Sequence, residues 1–486
     1  MRANARFVQD YAVAEHLLKS LILIIVLSFA ATAWSQNYQN NINAASSWLA
    51  STSNPRVTLG DHALVDGSNS TRIMPYFSNL GVRGFTKNST YYPNVKNWME
   101  WYWTNVSWPR TFTYNGQTIN IYGAINDFDV QSNGSETAVP DPDSQGNHHP
   151  DSTDSYAGTF LSLAYAYYWT GDDTAQNYIR SIQPPNSSRL DYVGEVVVAT
   201  KQSNGNNLTW SRPDFNIEYL MDNCEAYRGL RDLATLYTAM GFTSQASFYN
   251  GHADQMQNGI QTALWNSANS DYFWYTTDTG SSGTVNWNTW YPDSVSQVFP
   301  IAFGVIQPTD QRAINLWNTF QSHWQSKWTS LSTGDAYPWV IVGYVAALMG
   351  DTTDANTFIN NLQTKFVNNN FVGDSSHFWS TNEAGYFIRL NALMLGDGEG
   401  GLKVTLSAPS NGATLSSPVS IQASATSAHT ITGWQVYDNG TSVFSAGQVN
   451  SISTSLTLAS GSHILVARAW DSTGIFGDQT VSITVN

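Results

Sequence analysis

The segment Ile217-Glu-Tyr-Leu-Met-Asp-Asn-Cys-Glu-Ala-Tyr227 carries three carboxylates, Glu218, Asp222 and Glu225, at steps of four and three. On a helix those steps put all three on one stripe, beside an apolar stripe through Ile217, Leu220, Met221 and Cys224. Like charges four residues apart cost a few tenths of a kcal/mol. Either the stripe is an ordinary solvated face, or it lies where a carboxyl group is meant to keep its proton. Burial among aromatics such as Trp210 and Tyr227 and beside other carboxylates raises a carboxyl pKa and suits a general acid. Asp222 and Glu225 are candidates for that role. The opposite environment is expected at Asp151-Ser-Thr-Asp154-Ser-Tyr156, where a predicted helix begins. Asp151 there is a good N-cap, and helix-end amides would keep Asp154 ionised as a base or ligand anchor. Tyr156 follows on the first turn, placed to touch a ligand or steady the carboxylate. Asp293, after Tyr291-Pro292, also sits at a predicted helix start and competes with Asp222 and Glu225 for the acid role. Capping explains Asp151 and Asp293 equally well. Asp127 and Asp129 are two apart in a loop or strand and read as subsite residues or a weak cation site.

Other chemistries find less support. His148-His149 stand beside Asp141 and Asp143, but no further histidine is spaced to complete a zinc set, and they read as a surface loop. Cys224 is the single cysteine, so neither an intrachain disulfide nor a cysteine zinc site is available. There is no Gly-x-Ser-x-Gly elbow, phosphate-binding glycine loop or dinucleotide fingerprint. No metal and no cofactor is expected.

The chain has 486 residues with a net charge of −15, from 21 basic and 36 acidic side chains. That balance argues against nucleic acid and anionic membranes, which need a basic footprint, and favours neutral or poorly charged partners. Aromatics reach 13 %, many beside Asn, Asp and Ser, as in Trp98-Met-Glu-Trp-Tyr-Trp103 and Trp287-Asn-Thr-Trp290-Tyr291. They either fill a large core or line a cleft, where a ring meets the C–H face of a sugar and amides bond its hydroxyls. Trp210, Tyr227, Trp287, Trp290 and Tyr291 are candidate sugar contacts with Tyr156 and Asp127.

The elements that must position these residues fall into two sets. From about Asn41 to Leu395 the helical period keeps returning, over 41–50, 71–80, 94–104, 153–169, 173–182, 187–200, 215–240, 243–268, 293–305, 309–328, 337–349, 353–367 and 383–395. Short turns such as Thr170-Gly-Asp-Asp173 and Met240-Gly-Phe-Thr243 join many of them into hairpins. About a dozen helices in succession suggest a closed ring. After Gly398-Glu-Gly-Gly401 the pattern changes to about seven short strands between Lys403 and Val485, the signature of a β-sandwich. The domains expected are 36–400 and 401–486. Residues 1–35 read as a signal peptide, with Arg2, Arg6 and Lys19 before the apolar run Leu21 to Ala31 and a small-residue cleavage site at Ala33-Trp-Ser35. The run is short of the roughly 20 residues of a membrane span, and an uncleaved anchor is the alternative. A secreted or periplasmic protein is expected, attached to the cell surface if the anchor stays, and without stable membrane insertion.

Together with the hairpin pattern, Asp151 to Tyr156, Tyr219 to Tyr227 and Tyr291-Pro-Asp-Ser-Val-Ser-Gln-Val-Phe-Pro300 make the large region resemble the six-hairpin glycosidases. The resemblance implies an all-α (α/α)6 toroid with a cleft at one end, where one carboxylic acid protonates the leaving oxygen and a second carboxylate activates water. The last region resembles bacterial immunoglobulin-like domains, through Ala408-Pro-Ser-Asn-Gly412 and Ala467-Arg-Ala-Trp-Asp-Ser-Thr-Gly474, and reads as a spacer or a carbohydrate contact. The implied activity is that of a monomeric glycoside hydrolase acting on a neutral carbohydrate. A polysaccharide lyase and a non-catalytic carbohydrate-binding surface protein are the alternatives. The lyase would need basic side chains to neutralise a uronate.

Overall fold

The computed structural model describes residues 36–52, 63–67, 70–106, 110–114, 117–139, 141–142, 148–183, 188–201, 205–308, 310–398, 402–427, 430–439, 441–472 and 476–486. The leader expected at 1–35 and the side chains of His148 and His149 lie outside them. The helices in chain order are α1 (36–51), α2 (Pro75–Phe85), α3 (Tyr92–Asn105), α4 (Asp154–Tyr168), α5 (Asp173–Ser181), α6 (Arg189–Thr200), α7 (Leu220–Met240), α8 (Thr243–Thr262), α9 (Phe299–Ala302), α10 (Gln311–Thr329), α11 (Val340–Leu348), α12 (Thr352–Lys365) and α13 (Thr381–Met394).

Burial sorts them into two rings. Every residue of α4 and of α11 is buried, as expected of helices apolar all round. On α8 only a stripe through Ala246, Tyr249, Ala253, Met256 and Ile260 is covered. The inner ring is α2, α4, α7, α9, α11 and α13, each packed on the next, and α13 closes on α2. Outside it, α3 covers α2, α5 and α6 cover α4, α8 covers α7, and α12 covers α11 with α10 behind it. Asn41 of α1 donates to Asn391 of α13 at 3.0 Å. The large domain is an (α/α)6 toroid.

Glycines set the tightest crossings. A Cβ on Gly229 of α7 would stand 2.5 Å from the backbone of Gly158 on α4, so the two helices touch backbone to backbone. Overpacking of this kind costs typically about 1–3 kcal/mol. The crossing draws the first turns of α4 and α7, with their carboxylates, against each other.

Three expected helices differ in extent. The one expected at 71–80 starts at Pro75, which suits a first helical position, while Arg72–Ile73 pair with Phe128 and Asp129 as strand. Residues 217–219 pair with 275–277 as strand, so Glu218 leaves the helical stripe on which Asp222 and Glu225 remain. The helix expected at 293–305 is broken into π-helical turns at Trp290–Ser294 and the four-residue α9. Pro300 supplies no amide hydrogen for a continuous ladder.

The C-terminal domain is all β: β1 (Lys403–Ala408), β2 (Thr414–Leu415), β3 (Val419–Thr426), β4 (Ile431–Asp438), β5 (Thr441–Ala446), β6 (Ser451–Leu456), β7 (Gly461–Asp471) and β8 (Phe476–Val485). One sheet has the order β1-β3-β6 and the other β2-β8-β7-β4-β5, with β2 and β8 parallel. In β7 Leu465, Ala467 and Ala469 are buried, and so are Val466, Arg468 and Trp470 on the other face. That second face lies on the toroid. Arg468 donates to the carbonyl of Ala347 near the end of α11, and Tyr437 meets Gly350. The module is therefore packed against the toroid instead of hanging from it as a spacer.

Candidate active site

All six inner helices run the same way. Their first turns and the loops entering them wall a cavity of about 640 Å³. Its charged lining is Asp151, Asp222, Asp335 and Glu383, and among the described residues no Arg, Lys or His lies on the wall. Three pairs of rings frame it. Tyr76 stacks on Tyr156 at 5.8 Å, Tyr219 on Trp274 at 6.2 Å, and Tyr291 lies against Trp339 at 5.3 Å.

Asp222 stands on the first turn of α7. Burial, then the charges of Asp154 and Asp151, push its carboxyl well above the usual range, against hydrogen bonds from Ser152 and Ser211. Glu225, one turn deeper, is buried and accepts from the Tyr76 hydroxyl at 2.6 Å. Its Oε2 has no partner. Burial and the neighbouring Asp222 raise it well above the ordinary range, which favours the protonated form. Asp154 is enclosed beside them, accepting from the Ser152 hydroxyl at 2.9 Å, the Ser155 amide at 2.8 Å and the Thr209 hydroxyl at 2.6 Å. Burial lifts it to about 6 despite those bonds.

In the ring α13 is third from α7 in either direction, so Glu383 faces Asp222 across the cavity. Its Oε2 accepts from the Val340 amide at 2.7 Å, and the nearby Trp339 amide also favours its charged form. Burial brings it to about 7 against those amides. Asp335 accepts from the Tyr337 amide at 2.9 Å. Asp66, behind the wall, is raised to about 7 by burial and then by Asp127.

The residues singled out from sequence fall in three places. Asp222, Tyr156 and Tyr291 are on the cavity wall. Asp154, Glu225 and Asp127 lie directly behind it. Asp127 accepts from the Tyr156 hydroxyl at 2.9 Å and pairs with Arg72 at 3.6 Å, which fixes Tyr156 from the rear. The others are off the wall. Trp210 is buried, and the Tyr227 hydroxyl reaches the Gly304 carbonyl at 3.4 Å towards the far end. Trp290 packs on Trp324 at 5.1 Å, and the Trp287 carbonyl accepts from the Trp324 indole at 2.8 Å. Asp293 accepts from the Asn286 amide at 2.7 Å. Asp151 is exposed at the wall, and the N-cap of α4 is Thr153.

Glu383, Asp335, Tyr76, Trp274 and Trp339 were not anticipated. Ser380-Thr-Asn-Glu383 reads in sequence as a capping box. In the fold Ser380 makes no side-chain cap, and Glu383 reaches instead to the start of α11. Only that contact marks it out. Among the described residues no three His, Cys, Asp or Glu side chains are grouped as metal ligands.

Comparison with known proteins agrees with this architecture. Residues 403–467 match the family model of bacterial Ig domains. No curated protein sequence matches the chain. The solved GH63 mannosylglycerate hydrolase of Thermus thermophilus is similar at 12 % identity, over 71 % of this chain and 98 % of that one, with a TM-score of 0.50. A GH76 α-mannanase of Bacteroides thetaiotaomicron is similar at 12 % identity, over 73 % and 95 %, with a TM-score of 0.48. The toroid has a glycoside-hydrolase fold. At such identity the likeness speaks for the fold alone.

Proposed function

We propose that the protein is an exported glycoside hydrolase acting on a neutral or weakly charged oligosaccharide or polysaccharide, with Asp222 as general acid and Glu383 as the carboxylate that activates water. The observation that carries this reading is the pair of carboxyl groups facing each other across an aromatic cavity in different surroundings. Burial, then the charges of Asp154 and Asp151, raise the Asp222 carboxyl well above the usual range, which favours its protonated form. Burial raises Glu383 to about 7 and the Val340 amide opposes the rise, which leaves it titrating near neutrality, as suits a general base. Axes about 8–10 Å apart in a ring of six put opposite axes about 16–20 Å apart. Two inward carboxyls narrow that towards the roughly 6.5–9.5 Å used for inversion. Among the described residues the wall has no Arg, Lys or His to neutralise a uronate, which counts against a lyase. Export rests on the leader pattern of residues 1–35, and sequencing the N-terminus of the protein from the medium or periplasm tests it.

The functional test is a panel of neutral tetrasaccharides followed by reducing-end release. One member is cleaved, and Asp222→Asn and Glu383→Gln each lose roughly 100-fold or more in turnover, the scale of an acid–base group. Ultraviolet-absorbing unsaturated products from uronic-acid polymers would assign a lyase instead. Tight binding of a glycan without any cleavage would assign a binding protein.

A further inference from the structure

Three bulky side chains sit on backbone of positive φ, Leu331, Trp339 and Phe371. Only Trp339 among them lines the cavity. Its φ of 52° and ψ of 58° lie in the left-handed region, which disfavours any residue with a Cβ and a large ring most of all. Its indole Nε1 is also buried without a hydrogen-bond partner. Strain and an unmet donor at one position of a cavity wall indicate a residue kept there for something other than stability.

The backbone twist has two consequences. It places the Val340 amide on Glu383, which accepts from it at 2.7 Å. It also leaves the indole ring on the cavity wall, braced by Tyr291 at 5.3 Å. Tyr291 itself is 51 % exposed, so the two rings together form an open apolar step beside the carboxylate.

We propose that Trp339 is the sugar platform of the subsite that holds the scissile bond: its ring carries the C–H face of the sugar while its left-handed backbone aims the Glu383 carboxylate at the same sugar. One residue thus ties substrate placement to the position of the base. This rests on the assignment of Glu383 above.

Glycine and alanine separate the two duties. Trp339→Gly removes the ring but tolerates positive φ and keeps the amide on Glu383. Trp339→Ala removes the ring and stays strained. On the tetrasaccharide that the wild type cleaves, Trp339→Gly should raise KM about 10-fold or more, the scale of one lost stacking partner, with the low-pH limb of kcat unmoved. Trp339→Ala should raise KM equally and also move that limb upward, as the carboxylate loses an amide. Trp339→Phe should recover most of the KM. Trp339→Gly should melt above Trp339→Ala, the reverse of the order for an ordinary helical site. A wild-type KM in Trp339→Gly, or Trp339→Ala melting at or above Trp339→Gly, overturns the proposal. If Glu383→Gln retains full turnover or no glycan is cleaved, the enzymatic assignment fails instead, and the order of melting still decides the backbone half.

Discussion

The two ends of the inner ring carry opposite chemistry. Where the helices begin, the wall presents Asp151, Asp222, Asp335 and Glu383 among aromatic rings. Where they end, Arg83, Arg228 and Arg389 gather around a small pocket that Phe476 of the β domain helps to close. Asp222 and Glu383 stand in first turns, where free amides favour carboxylates, and Arg83 stands in a last turn, where free carbonyls favour cations. Glu383 takes the amide of Val340; Arg468 takes the Ala347 carbonyl. One end is open, unevenly charged and lined for a ligand. The other is closed by a second domain. The six parallel helices thus supply a site at one end and an assembly surface at the other.

If that division holds, damage to the base should cost stability and leave chemistry alone. Arg468 is fully buried and makes a two-pronged pair with Asp478 at 2.6 and 2.7 Å. Arg468→Met leaves Asp478 unpaired, and breaking a buried pair costs about 3–5 kcal/mol. Denaturant unfolding should show a loss of that size with kcat/KM unchanged below the transition. An unchanged midpoint would mean that the β domain does not brace the toroid through this residue.

The mouth should behave in the opposite way. Burial raises Glu383 from 4.5 to about 7, and a shift of that size corresponds to about 3 kcal/mol. Its native form holds the proton that the unfolded chain has released. Stability is therefore lost as pH rises through the interval from 4.5 to about 7. Glu383→Gln removes the penalty. It should be more stable than wild type by about 3 kcal/mol near pH 8, equal to it near pH 4, and inactive at both. A gain that is the same at both pH values would separate the carboxylate from the effect.

The smallest effect belongs to a carboxylate off the cavity wall. Asp293→Ala removes the acceptor of the Asn286 amide, worth about 1 kcal/mol. Turnover should stay within about twofold, well short of an acid–base loss. A fall of about 100-fold would move the acid role to Asp293.

How much of this was written in local sequence differs by element. The helical period marks α3, α10 and α12 to within about two residues, because each must bury one face and a 3.6-residue repeat records that demand. Turn residues and alternation likewise announce the β domain. Burial of both faces of β7 was not visible there, since Val466, Arg468 and Trp470 alternate like a solvent face until the toroid covers them. At the site, local sequence offered Asp154, Asp222, Glu225 and Asp293 for the chemistry, and of these Asp222 lines the cavity. Local sequence could not separate Asp222 from Glu225, which share a stripe on α7. The crossing at Gly158 and Gly229 leaves the first at the cavity and encloses the second. Glu383 and Trp339 stayed hidden for the same reason. Their meaning lies in a contact between α13 and the start of α11, 43 residues apart in the chain. A sequence records which face of a helix must turn inward; what stands across the cavity from it is decided only when the ring closes.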